Sequence, residues 1–119
     1  MEFTINEQNG VIIRRFSGKV CIEDMLDSWD KLLATYTNLK DYKGILTSFL
    51  DAEVKQEDHN LNVMVDFLKD YLDQLKDLKI AIVMDTPMVA NTIIIGQKMK
   101  SLQIKPFTTV KAAMYWIEH

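Results

Sequence analysis

The sequence predicts one α/β domain spanning residues 1–119, built on a mixed, mostly parallel sheet of about five strands with an N-terminal antiparallel hairpin and four helices. Three patterns carry this expectation. Asn9-Gly10, set between two alternating segments, is a two-residue hairpin turn. Beyond it, short apolar runs alternate with segments whose apolar residues recur every three or four positions. Strands that alternate with helices require right-handed crossovers, so they pair in parallel.

In MEFTINEQ, Phe3 and Ile5 alternate with polar neighbours, and VIIRRFSG returns as the second strand. Ile22, Met25, Leu26, Trp29, Leu32, Leu33 and Tyr36 then mark one face of a first helix. Its other face carries Glu23, Asp24, Asp27, Asp30 and Lys31, and carboxylates in the first turns suit the positive end of a helix dipole. After the breaker-rich TNLKDYKG, the run GILTSFL has the unbroken apolar character of a strand covered on both faces, and Asp51 is expected to close it.

The loop EVKQEDHN offers Asp58 or Asn60 as cap for a second helix carrying Leu61, Met64, Val65, Leu68, Tyr71, Leu72 and Leu75. KIAIVM, 79–84, is the next buried strand. Asp85 or Thr86 is placed to cap a third helix, with Pro87 at its first position and its end near Lys100. The strand Gln103 to Phe107 contains Pro106, which has no N–H for a ladder and so belongs at a sheet edge. Thr108 or Thr109 then caps a closing helix whose Val110, Ala113, Met114 and Ile117 face inward.

Composition narrows the function. Apolar residues make up 48% and charged residues 26%, which suits a folded domain able to bury roughly 65% of the surface its unfolded chain exposes. A net charge of -3 with dispersed cations speaks against nucleic acid. The single cysteine, Cys21, excludes an internal disulfide, and MEFTINEQNG lacks the character of a signal peptide, so a cytoplasmic protein is expected. No apolar run approaches the ~20 residues of a membrane span.

In open parallel sheets, ligands bind beyond the carboxyl ends of the strands. The candidate ligand-binding residues are therefore Asp51, Asp85, Thr86 and Asn91, with Lys19, Thr108 and Thr109 at neighbouring strand ends. Asp51, Thr86 and Lys105 also map onto the aspartate, hydroxyl and lysine of a phospho-receiver. That reading lacks its magnesium-binding acidic pair, since the corresponding strand reads VIIRRFSGK. Asp51 and Asp85 alone are too few hard ligands for a metal, and His59 and His119 have no nucleophile or acid at a readable spacing. No cofactor is expected. Cys21 stands at the start of the first helix, where the dipole could activate a thiol or where the residue simply replaces a serine-like cap.

The third helix, PMVANTIIIGQKM, is apolar nearly all round. Beyond the side that meets the sheet it needs a second cover: a neighbouring helix, an identical subunit, a protein partner or an apolar ligand. Met88, Ile95, Gly96 and Met99 are the candidate interface residues, Gly96 because it lets another backbone approach.

With this element order the whole chain resembles the SpoIIAA-like group of STAS domains, in particular the bacterial STAS/SEC14-like proteins. The resemblance lies in the hairpin with Gly18 before the first helix, GILTSFLDAEV, IAIVMDTPMVAN, and the closing FTTVKAAMYWI with its Ala-x-x-Trp-aliphatic pattern. It implies a SpoIIAA-like fold and a non-enzymatic regulatory or protein-interaction module. STAS domains of the antagonist type are switched by a phosphoserine at the start of the helix that here begins within KQEDHNLNVM, a segment with neither Ser nor Thr, so that switch is expected to be absent. A protein partner or self-association as a homodimer is expected. The alternative is a carrier of a small apolar, lipid-like or anionic ligand.

Overall fold

The computed structural model describes residues 1–54, 60–85 and 89–119, and the side chains of all of these except 60, 61 and 89–91. Five strands form one sheet in the order β1 (Glu2–Gln8), β2 (Val11–Val20), β3 (Gly44–Val54), β4 (Lys79–Val83) and β5 (Gln103–Phe107). β1 and β2 pair antiparallel, and every later pair is parallel. Asn9 and Gly10 both have positive φ, 54° and 80°, which is the backbone a tight hairpin of this hand requires. The Gly10 N–H donates to Glu7 Oε1 at 2.8 Å.

The helices are α1 (Ile22–Thr35), α2 (Asn60–Asp70), α3 (Leu72–Leu75), α4 (Val89–Lys98) and α5 (Val110–Glu118). Strand alternation sorts the sheet into two cores. Ile12, Ile45 and Ile80 face a layer that includes Trp29 and Leu32 of α1, Val65 and Leu68 of α2 and Leu75 of α3. Val11, Ile13, Leu46, Ala81 and Val83 face the other way, onto Ala113 and Ile117 of α5. Lys79 fixes that last helix by donating from Nζ to the carbonyl of Trp116 at 2.9 Å.

Three expectations are corrected. β3 does not close at Asp51 but continues to Val54, because β2 keeps pairing with it after β4 has ended. The register slips between Arg15 and Ser17, so Phe16 faces Phe49 and Leu50 together in a bulge, with the Phe16 and Phe49 rings stacked at 5.0 Å. The second helix is broken at Tyr71, whose N–H turns back to Leu68 O at 3.1 Å; the described residues therefore form five α-helices, plus a short 3-10 turn at Leu39–Asp41. The third predicted helix, α4, ends at Lys98, two residues short of the expected end. Pro106 lies in β5, an edge strand, as its missing N–H requires.

Gly44 begins β3 where the strand is squeezed most tightly. A Cβ there would stand 2.8 Å from Ile117 Cγ2 and would overlap the carbonyl oxygen of Lys79. Gly44→Ala is expected to lower the free energy of unfolding by about 1–3 kcal/mol through overpacking. Urea denaturation measures it, and a midpoint equal to wild type would contradict the crowding.

Candidate functional site

Because β2 to β5 run parallel, their carboxyl ends and the N-termini of α1, α2, α4 and α5 gather at one end of the sheet. Asp51 lies there on the part of β3 that outruns β4, exposed, with its backbone opposite Ser17. Asp85, also exposed, follows β4 directly. Thr86 and Met88, like Asp58, His59 and Pro87, lie outside the described residues, and Asn91 is placed within α4 by its backbone. Of the two cap candidates for α5, Thr109 takes the role, its Oγ1 accepting from the Ala112 N–H at 3.1 Å. Among the described residues no group of three or more metal-type ligands comes together, so Asp51 and Asp85 gain no third carboxylate, thiolate or imidazole.

α4 divides more sharply than its sequence suggested. Thr92 and Met99 are buried, Ile95 and Gly96 are half-buried, and Ile93 and Ile94 are exposed by 47% and 36%. Met99, a candidate interface residue, is thus part of the core, because one helical face holds residues 92, 95, 96 and 99. Thr92 Oγ1 donates to Met84 Sδ at 3.4 Å, tying α4 to the end of β4. An alanine Cβ at Gly96 would meet Ile104 O at 3.5 Å, so the close backbone approach at Gly96 is to β5 of the same chain. Lys98 Nζ reaches Asn62 Oδ1 of α2 at 3.5 Å, next in sequence to Val63, another exposed apolar residue.

Arg14 is the functional-type residue that sequence reasoning missed. Within VIIRRFSGK, which lacks the acidic pair of a receiver, Arg14 is 2% exposed between the sheet and α1. Its Nε and Nη2 donate to Thr47 Oγ1 at 3.1 and 2.8 Å, and its Nη1 donates to Ser28 Oγ at 3.1 Å. The guanidinium carbon stands 4.2 Å from the Trp29 ring centre and 5.4 Å from that of Phe16. Burial lowers its pKa to about 9, which leaves the group charged at neutral pH. The available signal was the alternation itself, since Ile12, Arg14 and Phe16 must share one face of β2. Lys105, the other cation of the receiver reading, is exposed, with its ammonium 5.8 and 6.0 Å from the rings of Phe107 and Trp116.

At the start of α1, the Cys21 N–H and thiol both donate to Asp24 Oδ2, at 3.0 and 3.2 Å. The backbone hydrogen bond involving Asp24 acts to lower the thiol pKa. It is outweighed by side-chain hydrogen bonds to Glu23 and Asp24, desolvation and the Asp24 charge, so the thiol is pushed up. The thiol is thus held by Asp24 at the start of the helix, and the activating helix dipole loses to the adjacent carboxylates.

Neither a family model nor a curated protein matches the chain. Solved structures do. An anti-sigma factor antagonist from Mycobacterium paratuberculosis superposes with a TM-score of 0.64 at 13% identity, covering 99% of this chain and 94% of its own. The anti-sigma factor antagonist SpoIIAA in its unphosphorylated form gives 0.62 at 11% identity, with 98% of both chains covered. A DUF3478-family protein from Shewanella loihica, described as having a SpoIIAA-like fold, gives 0.62 at 19% identity and covers 98% of this chain and 92% of its own. The chain has a SpoIIAA-like, STAS-like fold, as its element order implied.

The cap geometry has a direct test. Cys21 is expected to alkylate with iodoacetamide at pH 7 more slowly than free cysteine, and Asp24→Asn, which removes the adjacent charge, is expected to speed it several-fold; an unchanged rate would contradict the assignment. The Cys21 backbone hydrogen bond, followed by the thiol bond, lowers the Asp24 pKa. Its contribution to stability is then fully present above the ordinary carboxylate pKa of about 3.9 and is lost as pH falls through the lower folded value. The stability difference between wild type and Asp24→Asn should accordingly close in strong acid, as followed by circular dichroism.

Proposed function

We propose that this chain is a non-enzymatic regulatory module that acts by binding another protein or a second copy of itself, without a phosphoserine switch. The observation that carries this reading is the exposed Ile93–Ile94 strip on α4, a helix whose opposite side is already anchored through Thr92, Met99 and the close approach at Gly96. Ile95 borders the strip, and the exposed end-of-sheet residues Asp51 and Asp85 are proposed as its polar surround; the other two candidates are Thr86, which lies outside the described residues, and Asn91 of α4. Support for a regulatory role comes from the shared fold, since two of the structures it resembles are anti-sigma factor antagonists. Support for an absent switch comes from KQEDHNLNVM, which has no hydroxyl residue to phosphorylate.

The alternative, a small apolar or anionic ligand at the turn after β4, ranks second because the exposed Asp85 carboxylate opposes an anion there. A photo-crosslinking amino acid placed at Ile93 in the cell of origin is expected to give protein adducts that the same group at the exposed Asp73 of α3 does not. Equal labelling at the two positions, or none at Ile93, would remove the basis for the proposal. Light scattering of the purified chain separates the outcomes: a concentration-dependent dimer lost in Ile93→Asp assigns the strip to self-association, and a monomer assigns it to a different protein.

A further inference from the structure

The polar cluster around Arg14 is used neither by the fold's backbone ladder nor by the proposed partner surface, and it is unbalanced in one direction. A guanidinium has five N–H donors, and three of those of Arg14 are taken by Thr47 and Ser28. One hydrogen on Nη1 and one on Nη2 have no acceptor among the described residues. The two hydroxyls that accept from Arg14 each retain an O–H, and neither donates it to an acceptor among the described residues. Ser28 and Thr47 are both fully buried, so water outside the protein does not meet this demand.

Four donor hydrogens are therefore left over in this buried cluster, which carries one positive charge, and no carboxylate among the described residues pairs with it. Buried donors without acceptors, and buried charges without counter-charges, are the exceptions in folded proteins that call for a bound group. We infer that Arg14, Ser28 and Thr47 form an internal site for a small monovalent anion, a halide or a carboxylate of formate size, held between the sheet and α1. A guanidinium suits such a ligand because two parallel N–H groups match a carboxylate and also converge on a single halide. A single positive charge enclosed by Trp29 and Phe16 favours one negative charge, since a second would itself be buried without a partner. The site lies inside the α1 layer, beneath the helix and away from the exposed strip of α4.

The test is thermal unfolding of the full chain at pH 7 and fixed ionic strength, with sodium gluconate progressively replaced by chloride, bromide or formate. Gluconate is too large for the site and serves as reference. Wild type is expected to gain roughly 2–4 °C in Tm, saturably, in at least one of the small anions. The halide and formate arms tell which source of negative charge is preferred. Arg14→Met is expected to show a flat response. Identical melting in all four salts, or the same rise in Arg14→Met, would overturn the inference. Should Arg14→Met fail to fold, Ser28→Ala removes one donor and keeps the charge, and its half-saturating anion concentration is expected to rise about tenfold; an unchanged value overturns the site. Crystals grown with bromide give a second readout, an anomalous peak beside Nη1 and Nη2 in support, or none against.

Discussion

β3 is the strand on which both halves of the molecule depend. It lies in the middle of the five, with Ile45 fully buried against the layer of α1, α2 and α3 and Leu46 fully buried against α5. Each of these side chains removes about 1.5–3 kcal/mol worth of apolar surface from water, and together they couple two cores that otherwise share only the sheet. The strand is entered at Gly44, where Lys79 and Ile117 leave no room for a side chain. The tight start has a use: it brings β4 and the end of α5 against the same residue, so strand pairing and helix docking are set together. At its other end β3 outruns β4 and is held by β2 alone, and the bulge opposite Phe16 re-aims the last residues beyond the sheet.

The same neighbour, β2, brings an opposing constraint into the first core. Arg14 occupies a position between Ile12 and Phe16 where an aliphatic residue would be expected, and taking a guanidinium out of water costs several kcal/mol. The Trp29 face, at 4.2 Å, offsets up to about 2 kcal/mol of this when desolvated, and hydrogen bonds to neutral hydroxyls offset more. None of those partners supplies negative charge. The residues that satisfy Arg14 come from β3 (Thr47) and α1 (Ser28, Trp29), so the guanidinium fixes the helix over the sheet through direction-specific contacts that apolar packing does not provide. A cation in this place makes the position of α1 sensitive to what neutralises it.

Much of the fold was legible because it rests on periodicities that the backbone imposes. The positive φ at Asn9 and Gly10, the edge position of Pro106 and the cap at Thr109 each follow from one residue's own stereochemistry, and sequence alone is enough to read them. What was not legible depends on contacts between distant segments. The continuation of β3 past Asp51 is decided by how far β2 runs beside it. The break at Tyr71 coincides with its ring meeting Phe67 at 5.0 Å, a packing choice with no breaker residue to announce it. Likewise, α4 looked apolar all round because composition does not say which side meets the sheet; Thr92, the one hydroxyl in that stretch, in fact marks the buried side by bonding Met84. For the candidate site, sequence located the end of the sheet but placed its chemistry on carboxylates that are exposed and unassembled.

These features separate two surfaces that the primary structure had merged. The end of the sheet collects helix N-termini, whose partial positive charge would favour anions, yet the exposed side chains there include the acidic Asp51, Glu53 and Asp85, with Lys19 opposite Glu53. Their opposition leaves the end of the sheet poorly suited to phosphate chemistry, and the thiol of Cys21, held by Asp24, is equally unsuited to nucleophilic work. Among the exposed apolar side chains of the described residues, Ile93 and Ile94 stand next to one another on α4. Two adjacent exposed isoleucines stand on a helix anchored on its other side, and an apolar surface held in place in this way loses little conformational entropy when it is covered. The proposed recognition of a partner by shape and apolar contact is in keeping with this surface.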